Sequence, residues 1–434
     1  MKQLLAYCLS IILCVSFTGC MENYLDLYPE DKITSASFPE NESDIKLLLN
    51  GVYAQLREKE VYNQGLFGFG ITDGATPNAF NWGTDEVFNK LGAGRLSSSD
   101  GGVVTYRWKR CYEIISRANY LLACMDLVDL SEEAKAKYSG ETHFLRGLAY
   151  SVLAETYGGV PIILTNISTE EARSLKRASL EETWQQALDD YEVAITNLGV
   201  DAPEPGRATK GAALGMKMRA YLYQGKYKEV LACVEQIDAL KKYGLFHSYE
   251  GLFDPANENN KEVLFDIQYI EGENSQGSYI DQYCGTGTGS WTRGSRYVPT
   301  DDLVAAYETI DGSPVDPENP YENRDPRLGF TAVLPGSYFL GYRFPNYLYP
   351  GGAFNHAGNR LKHLSTRKYR IQDESKLPPS GQSYINDIIL RYADVLLSKA
   401  EAIIETNGNV ADAIAILNRI RTERDDVKIS LLPT

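Results

Sequence analysis

Residues able to carry enzyme chemistry are few and scattered in this chain. Its four histidines, His143, His247, His356 and His363, form no HExxH or other paired-ligand spacing, so a zinc hydrolase has no support. There is no GxSxG elbow and no Walker loop. Gly68, Gly70 and the run Gly285, Gly287 and Gly289 lack the helix that a dinucleotide site places next, and read as loop hinges. A glycosidase needs two carboxylates ~5–10 Å apart. Among 58 acidic residues nothing marks such a pair. The acid-rich stretch Asp311, Asp316, Glu318, Glu322 and Asp325 lacks EF-hand spacing and its glycine, and reads as a solvated loop rather than a calcium site. We expect no catalytic residue, no metal and no cofactor.

The informative residues are instead aromatic and polar. Thirty tyrosines are an unusual number, and tyrosine couples a flat apolar face to a polar tip, which suits wet recognition surfaces as well as cores. Two Gly-rich loops concentrate such residues. Residues 71–83, ITDGATPNAFNWG, hold Asp73, Asn78, Phe80, Asn81 and Trp82; residues 278–297 hold Tyr279, Tyr283, Trp291, Arg293 and Arg296. Trp82 and Trp291 lie in polar loops with no helical stripe to bury them, whereas Trp108 and Trp184 fall on apolar helical stripes and belong to the core.

The elements that must hold these loops read as mostly helical. Ile45, Leu48, Leu49, Val52, Tyr53 and Leu56 recur at steps of three and four after Asn41 or Ser43. Further helices run from Tyr106 to Leu122 and from Glu141 to Tyr157, the latter stopping at Gly158 and Gly159. Ser179 with Glu182 forms a capping box. Two segments, 212–240 with a turn at Gly225 and 390–421 with a turn at Gly408, set Ala among Leu and Tyr as tetratricopeptide hairpins do. Between them, 244–388 is rich in Gly, Pro, Asn, Asp and Tyr, with short β-like runs at Glu262–Ile270 and Lys368–Ile371; residues 61–102 have a similar texture. Connections this long are usually functional.

The N-terminus reads as a targeting segment. Lys2 precedes a short apolar stretch from Leu4 to Phe17, and Thr18 and Gly19 stand directly before Cys20. This resembles the lipobox of bacterial lipoproteins, which implies a signal peptide over 1–19 and lipid on Cys20. Cys111, Cys124, Cys233 and Cys284 show no CxxC spacing; Cys111 and Cys124, thirteen apart in one helical pattern, stand about 20 Å apart and cannot bridge. Free buried thiols are expected. The formal charge of −15 becomes −16 without Lys2, and argues against nucleic acid, whose binders need a basic face.

Taken in order, the blocks YLDLYPEDKITSASF, NGVYAQL, ETHFLRGLAYSVLAETYGGVPIIL, GRATKGAALGMKMRAYLYQGKYKEV, NNKEVLFDIQY, VPTDDLVAAYETIDGSPV, NRDPRLGFTAVLPG and RYADVLLSKAEAIIETNGNVADAIAILNRIR resemble the SusD/RagB family of outer-membrane lipoproteins. The resemblance covers nearly the whole chain. It implies a mainly α, SusD-like fold of tetratricopeptide-like hairpins with a loop-rich binding region and a few short strands. It divides the chain into an N-terminal helical region, 20–240, carrying the binding loop 61–102, and a RagB/SusD-type region, 241–434, that is loop-rich and then closes on the hairpin 390–421.

The implied role is capture of oligo- or polysaccharide at the cell surface, without catalysis, and its delivery to a SusC-like TonB-dependent transporter. Loop 71–83 corresponds to one at the ligand face, and Asp73, Asn78, Asn81, Trp82, Tyr279, Tyr283, Trp291, Arg293 and Arg296 become the candidate glycan contacts. The alternatives are a glycoside hydrolase and a helical-repeat interaction scaffold. Arg146 and the stretch Asn323 to Arg327 read as scaffold. Family members run on past the last hairpin with another helical stretch, so the resemblance also implies a short C-terminus that leaves apolar hairpin faces uncovered and lowers stability.

Overall fold

A computed structural model describes residues 38–57, 73–81, 90–271, 277–278, 280, 297–344, 364–379 and 382–433. The chain is mainly helical. Helix α1 (Glu42–Ala54) is capped by Asn41, whose side chain accepts from the Asp44 N–H. Helices α2 (Val103–Cys124) and α3 (Glu132–Tyr157) follow, then the short α4 (Thr169–Ser174) and α5 (Leu180–Asn197). The Ser179–Glu182 capping box is formed in both directions, at 2.7 and 3.1 Å. Helix α3 begins at Glu132, after its N-cap Ser131 and well before the sequence pattern at Glu141; its first two turns are mostly charged and bury only Ala134 and Tyr138.

The two hairpins stand where their alanines and glycines place them. Helices α6 (Lys210–Tyr223) and α7 (Tyr227–Ala239) turn through Gly225 in the left-handed region, φ 67°. Helices α10 (Tyr392–Glu405) and α11 (Val410–Thr422) form the second pair, with Asn409 as N-cap. Packing follows chain order, α2 on α3, α3 on α5, α5 on α6 and α6 on α7; then α7 meets α10, joining hairpins far apart in sequence. Glycines allow the closest approaches: a Cβ on Gly147 of α3 would meet the Asp190 Cβ at 3.0 Å and the Ala187 oxygen at 3.1 Å on α5.

A buried polar network crosses this bundle. Arg146 donates to both oxygens of Asp190 (2.7 and 3.0 Å) and to Asn119 Oδ1 (2.7 Å); His143 Nδ1 lies 2.7 Å from the same carboxylate. Arg146 is thus a helix-packing residue. Cys111, Cys124 and Cys233 are free and buried. Trp184 is core, and Trp108 packs half-buried against Tyr112 and Tyr157.

The strands are short and pair in twos. β1 (Ala79–Asn81) pairs with β3 (Tyr297–Pro299), β2 (Val263–Ile267) with β8 (Asp387–Arg391), β4 (Ala332–Val333) with β7 (Ser365–Thr366), and β5 (Tyr338–Phe339) with β6 (Tyr342–Arg343), all antiparallel. The strand expected at Lys368–Ile371 is a turn: Tyr369 takes a left-handed φ of 57°, which ends any extended run. The β2–β8 pair lies on α6, where a Cβ on Gly215 would sit 2.3 Å from Leu390. A second core, including Tyr249, Phe253, Tyr369, Ile385 and Val427, fills the loop-rich half.

Two more short helices, α8 (Asp301–Ala306) and α9 (Pro326–Thr331), brace that half. Arg324 donates to the carbonyls of Pro320, Val304 and Tyr307, each at 2.6 Å, and Asp325 caps α9 while pairing with Arg327, as a scaffold stretch should. Asp311 and Asp316 close turns onto Ser313 and Glu318 N–H groups. Among the described residues no cluster of His, Cys, Asp and Glu could hold a metal, and no helix is long and apolar enough to cross a membrane. On the last hairpin Leu397, Ile404 and Val410 are exposed, while Val427 and Ile429 beyond it are buried.

Candidate functional site

The two loops singled out by composition are joined at their ends. Ala79 pairs with Pro299, Phe80 with Val298 and Asn81 with Tyr297, so the first loop is laid along the strand in which the second one ends. Thr300 locks this junction from three directions. Its N–H donates to Asn78 O (3.1 Å), its hydroxyl donates to Pro77 O, and the same oxygen caps α8 by accepting from Leu303 N (3.1 Å). Asn78 is exposed at the turn before β1, and Phe80 is 41% exposed on the ladder. Phe80 is an aromatic that sequence reasoning passed over as a contact in favour of Trp82; its alternation in an exposed two-stranded ladder is what presents it. Trp82, Tyr279, Tyr283, Trp291, Arg293 and Arg296 lie outside the described residues.

Asp73 opens the first loop and is half-buried. Burial raises its carboxyl pKa, while the Lys368 ammonium pulls it back. Lys368 is itself seated among rings, 4.3 Å from the Phe253 centroid, 5.3 Å from Tyr369 and 5.9 Å from Tyr249.

A second polar device sits around the β2–β8 ladder. Asn386 donates its N–H to Glu258 Oε1 (2.7 Å) and its amide to Asp266 Oδ2 (3.1 Å), and accepts from Tyr269 N (2.9 Å); Gln268 donates to Asp266 Oδ1 (2.7 Å). Burial and mutual repulsion push Glu258 up to about 7, and burial pushes Asp266 up to about 6. Asp387 rises to about 7, through burial first and then Asp266 and Asp73. In the register Asp266 faces Ile388 and Asp387 faces Ile267, so the two aspartates occupy alternate positions that point to opposite faces of the ladder.

A carboxyl whose folded pKa is raised binds its proton more tightly in the folded state. Its stabilising contribution is present below about pH 4 and is lost as pH climbs to about 7. Glu258→Gln keeps the acceptor for Asn386 and removes the charge. Urea melts should therefore show the variant more stable than the parent at pH 8 and equal to it near pH 4; a parallel offset at both pH values would refute this.

Two clefts open beside the 204–207 turn. A cavity of about 350 Å³ lies between Asn50, Tyr53 and Arg57 on one side and Asp266, Gln268 and Ile270 on the other. A neighbouring cavity of about 450 Å³ shares the 204–207 turn and adds Asn259, Asn260, Lys242 and Tyr243. Arg207 closes the turn over the Tyr53 ring at 4.9 Å. Amides, hydroxyls and a tyrosine face make a surface able to bind neutral polyols by many weak hydrogen bonds.

Comparison with known proteins agrees with this architecture. Residues 23–222 match a family described as starch-binding, associating with outer membrane, and residues 261–424 match the SusD family. A SusD-like protein of Formosa agariphila is 26% identical over 97% of this chain and 81% of its own length. A SusD-like carbohydrate binding protein from Bacteroides fragilis superposes with a TM-score of 0.80 at 26% identity, over 91% of this chain and 80% of that one. A laminarin binding SusD-like protein shares the fold, with a TM-score of 0.64 at 20% identity over 91% of this chain and 86% of that one. The ordered blocks, the hairpin scaffold and these matches have one reading: the chain belongs to the SusD family.

Proposed function

We propose that this protein is a cell-surface glycan receptor, held to the outer membrane by lipid on Cys20, that captures an oligo- or polysaccharide and passes it to a SusC-like TonB-dependent transporter without cleaving it. The observation that carries this reading is the β1–β3 ladder, which joins two Gly-rich loops whose sequences hold Trp82 and Trp291. The family description as starch-binding and the carbohydrate-binding relatives support it.

A neutral glycan offers apolar C–H faces and hydroxyls. Ring stacking on tryptophan or tyrosine, with Asn, Asp and Arg taking the hydroxyls, is the matching chemistry. Each stack is worth ~0.5–1.5 kcal/mol beyond area burial, and micromolar binding needs roughly −8 kcal/mol, so several contacts act together. Such contacts are weakly screened, and affinity should barely change with salt.

The test is affinity electrophoresis of the full chain against a polysaccharide panel. One glycan should retard it, and Trp82→Ala combined with Trp291→Ala should weaken that binding by roughly 5- to 150-fold, the equivalent of two stacks. Undiminished retardation of the double variant would sink the site assignment, and release of reducing sugar would turn the reading toward a hydrolase.

A further inference from the structure

The helical half contains a separate cavity of about 280 Å³, walled by α2, α3, α5, α6 and β8. Its lining includes Arg107, Trp184, Arg219, Tyr223, Glu155 and the aliphatic face of Ile389. Arg107 is the unusual member. Its Nε is buried and has no hydrogen-bond partner, and among the described residues its guanidinium meets no carboxylate. Of the neighbouring arginines, Arg219 donates to Asp394 (2.5 Å), and Arg110, whose Nε is likewise unpartnered, donates through Nη1 to Gln55 (3.0 Å) and Glu113 (2.5 Å); Arg107 differs in having no carboxylate beside it among the described residues.

A desolvated donor without an acceptor is costly, so an unpartnered guanidinium on a cavity wall is a site for an incoming acceptor. The Trp184 indole N–H and the Tyr223 hydroxyl also make no hydrogen bond among the described residues. Trp184 is 5% exposed and Tyr223 is 53% exposed, which places one in the wall and the other at the rim. Donors therefore outnumber acceptors; Glu155, exposed, is the one carboxylate in the lining. The volume of about 280 Å³ falls just below the ~300–1,000 Å³ range of ligand pockets, room for one ring rather than a chain.

We propose that this cavity is a second ligand site taking a monosaccharide-sized carboxylate, a hexuronate unit. Its carboxylate pairs with Arg107, and its ring lies against Trp184 and the aliphatic wall. The preference for an anion rests on Arg107; the choice of a sugar acid rests on the glycan-binding reading. Unlike stacking in the loops, this contact is electrostatic and weakens with salt.

The experiment is calorimetric titration of the full chain with glucuronate, glucose and acetate at low and high salt. Glucuronate should bind saturably, glucose and acetate at least tenfold more weakly. Arg107→Met should reduce glucuronate affinity at least tenfold, and Arg107→Lys should restore part of it. Since among the described residues the guanidinium pairs with no carboxylate, Arg107→Met should melt as cooperatively as the parent; if it does not, the Arg107→Lys loss and the salt dependence decide. The Trp82→Ala, Trp291→Ala double variant should bind glucuronate like the parent, which separates this site from the loops. Absence of saturable glucuronate binding, equal binding of glucose, or unchanged affinity in Arg107→Met would overturn the anion site. Equal binding of acetate would overturn the sugar-acid assignment.

Discussion

Glu262→Ala should cost about 3–5 kcal/mol of stability, the scale for breaking a buried ion pair from one side. Glu262 is 0% exposed. Its Oε1 accepts from Arg424 Nη2 (2.7 Å) and Arg391 Nη1 (2.9 Å), and its Oε2 accepts from Phe246 N (2.7 Å). Arg424 also donates to Phe246 O (2.8 Å), so the segment after α11 is bolted to the start of β2 through one carboxylate. Alanine would strand two guanidinium groups and one N–H. Burial opposes the ionised carboxylate, yet Arg424, Arg391 and the Phe246 N–H outweigh it and hold the pKa below its ordinary value. A depressed folded pKa gives stability that is present above the unfolded value and lost as pH falls below it. Urea melts at pH 7 check the size. A loss under about 1 kcal/mol would show that the triad is idle, against the cost expected for an unpaired buried charge.

Asp190→Ala is expected to be comparably damaging, again about 3–5 kcal/mol, because Arg146 is 5% exposed and has no second carboxylate in reach of its fork. The loss should fall on the α3–α5 interface. Hydrogen exchange at Leu145–Val152 should accelerate with little change in the second core. Asp190→Asn should be milder, since one carbonyl oxygen still accepts from Arg146. Equal losses in the Ala and Asn variants would mean that packing, not the charge pair, holds the two helices.

The helical scaffold was legible in the residues because its signals are local. Asn41, the Ser179–Glu182 box and the Gly225 and Gly408 turns each act within one helical turn, and each stands where its spacing predicts. The start of α3 was hidden because Glu132–Lys137 is mostly charged: Ser131 caps it and Ala134 is its one buried residue, too little for a periodic signal. Tyr369 was misread as strand because aromatic composition says nothing about the sign of φ.

The site divides in the same way. Composition marks 71–83 and 278–297 as loops, but the pairing of Phe80 with Val298 spans more than two hundred residues and leaves no local trace. The Glu258–Asn386–Asp266 network was invisible for the same reason. Arg107 looked like any polar position on α2; its place on a cavity wall, with a buried Nε and no carboxylate beside it among the described residues, is a tertiary fact.

The β1–β3 ladder has a consequence for how this protein can change over generations. Main-chain pairing is indifferent to side-chain identity, so Thr300 and three paired backbone positions can hold the loop ends while the residues between drift. A lineage can thus change the composition of either loop and leave the inherited frame alone. The clasp turns two distant pieces of the gene into one exchangeable module, which would have to be transplanted together.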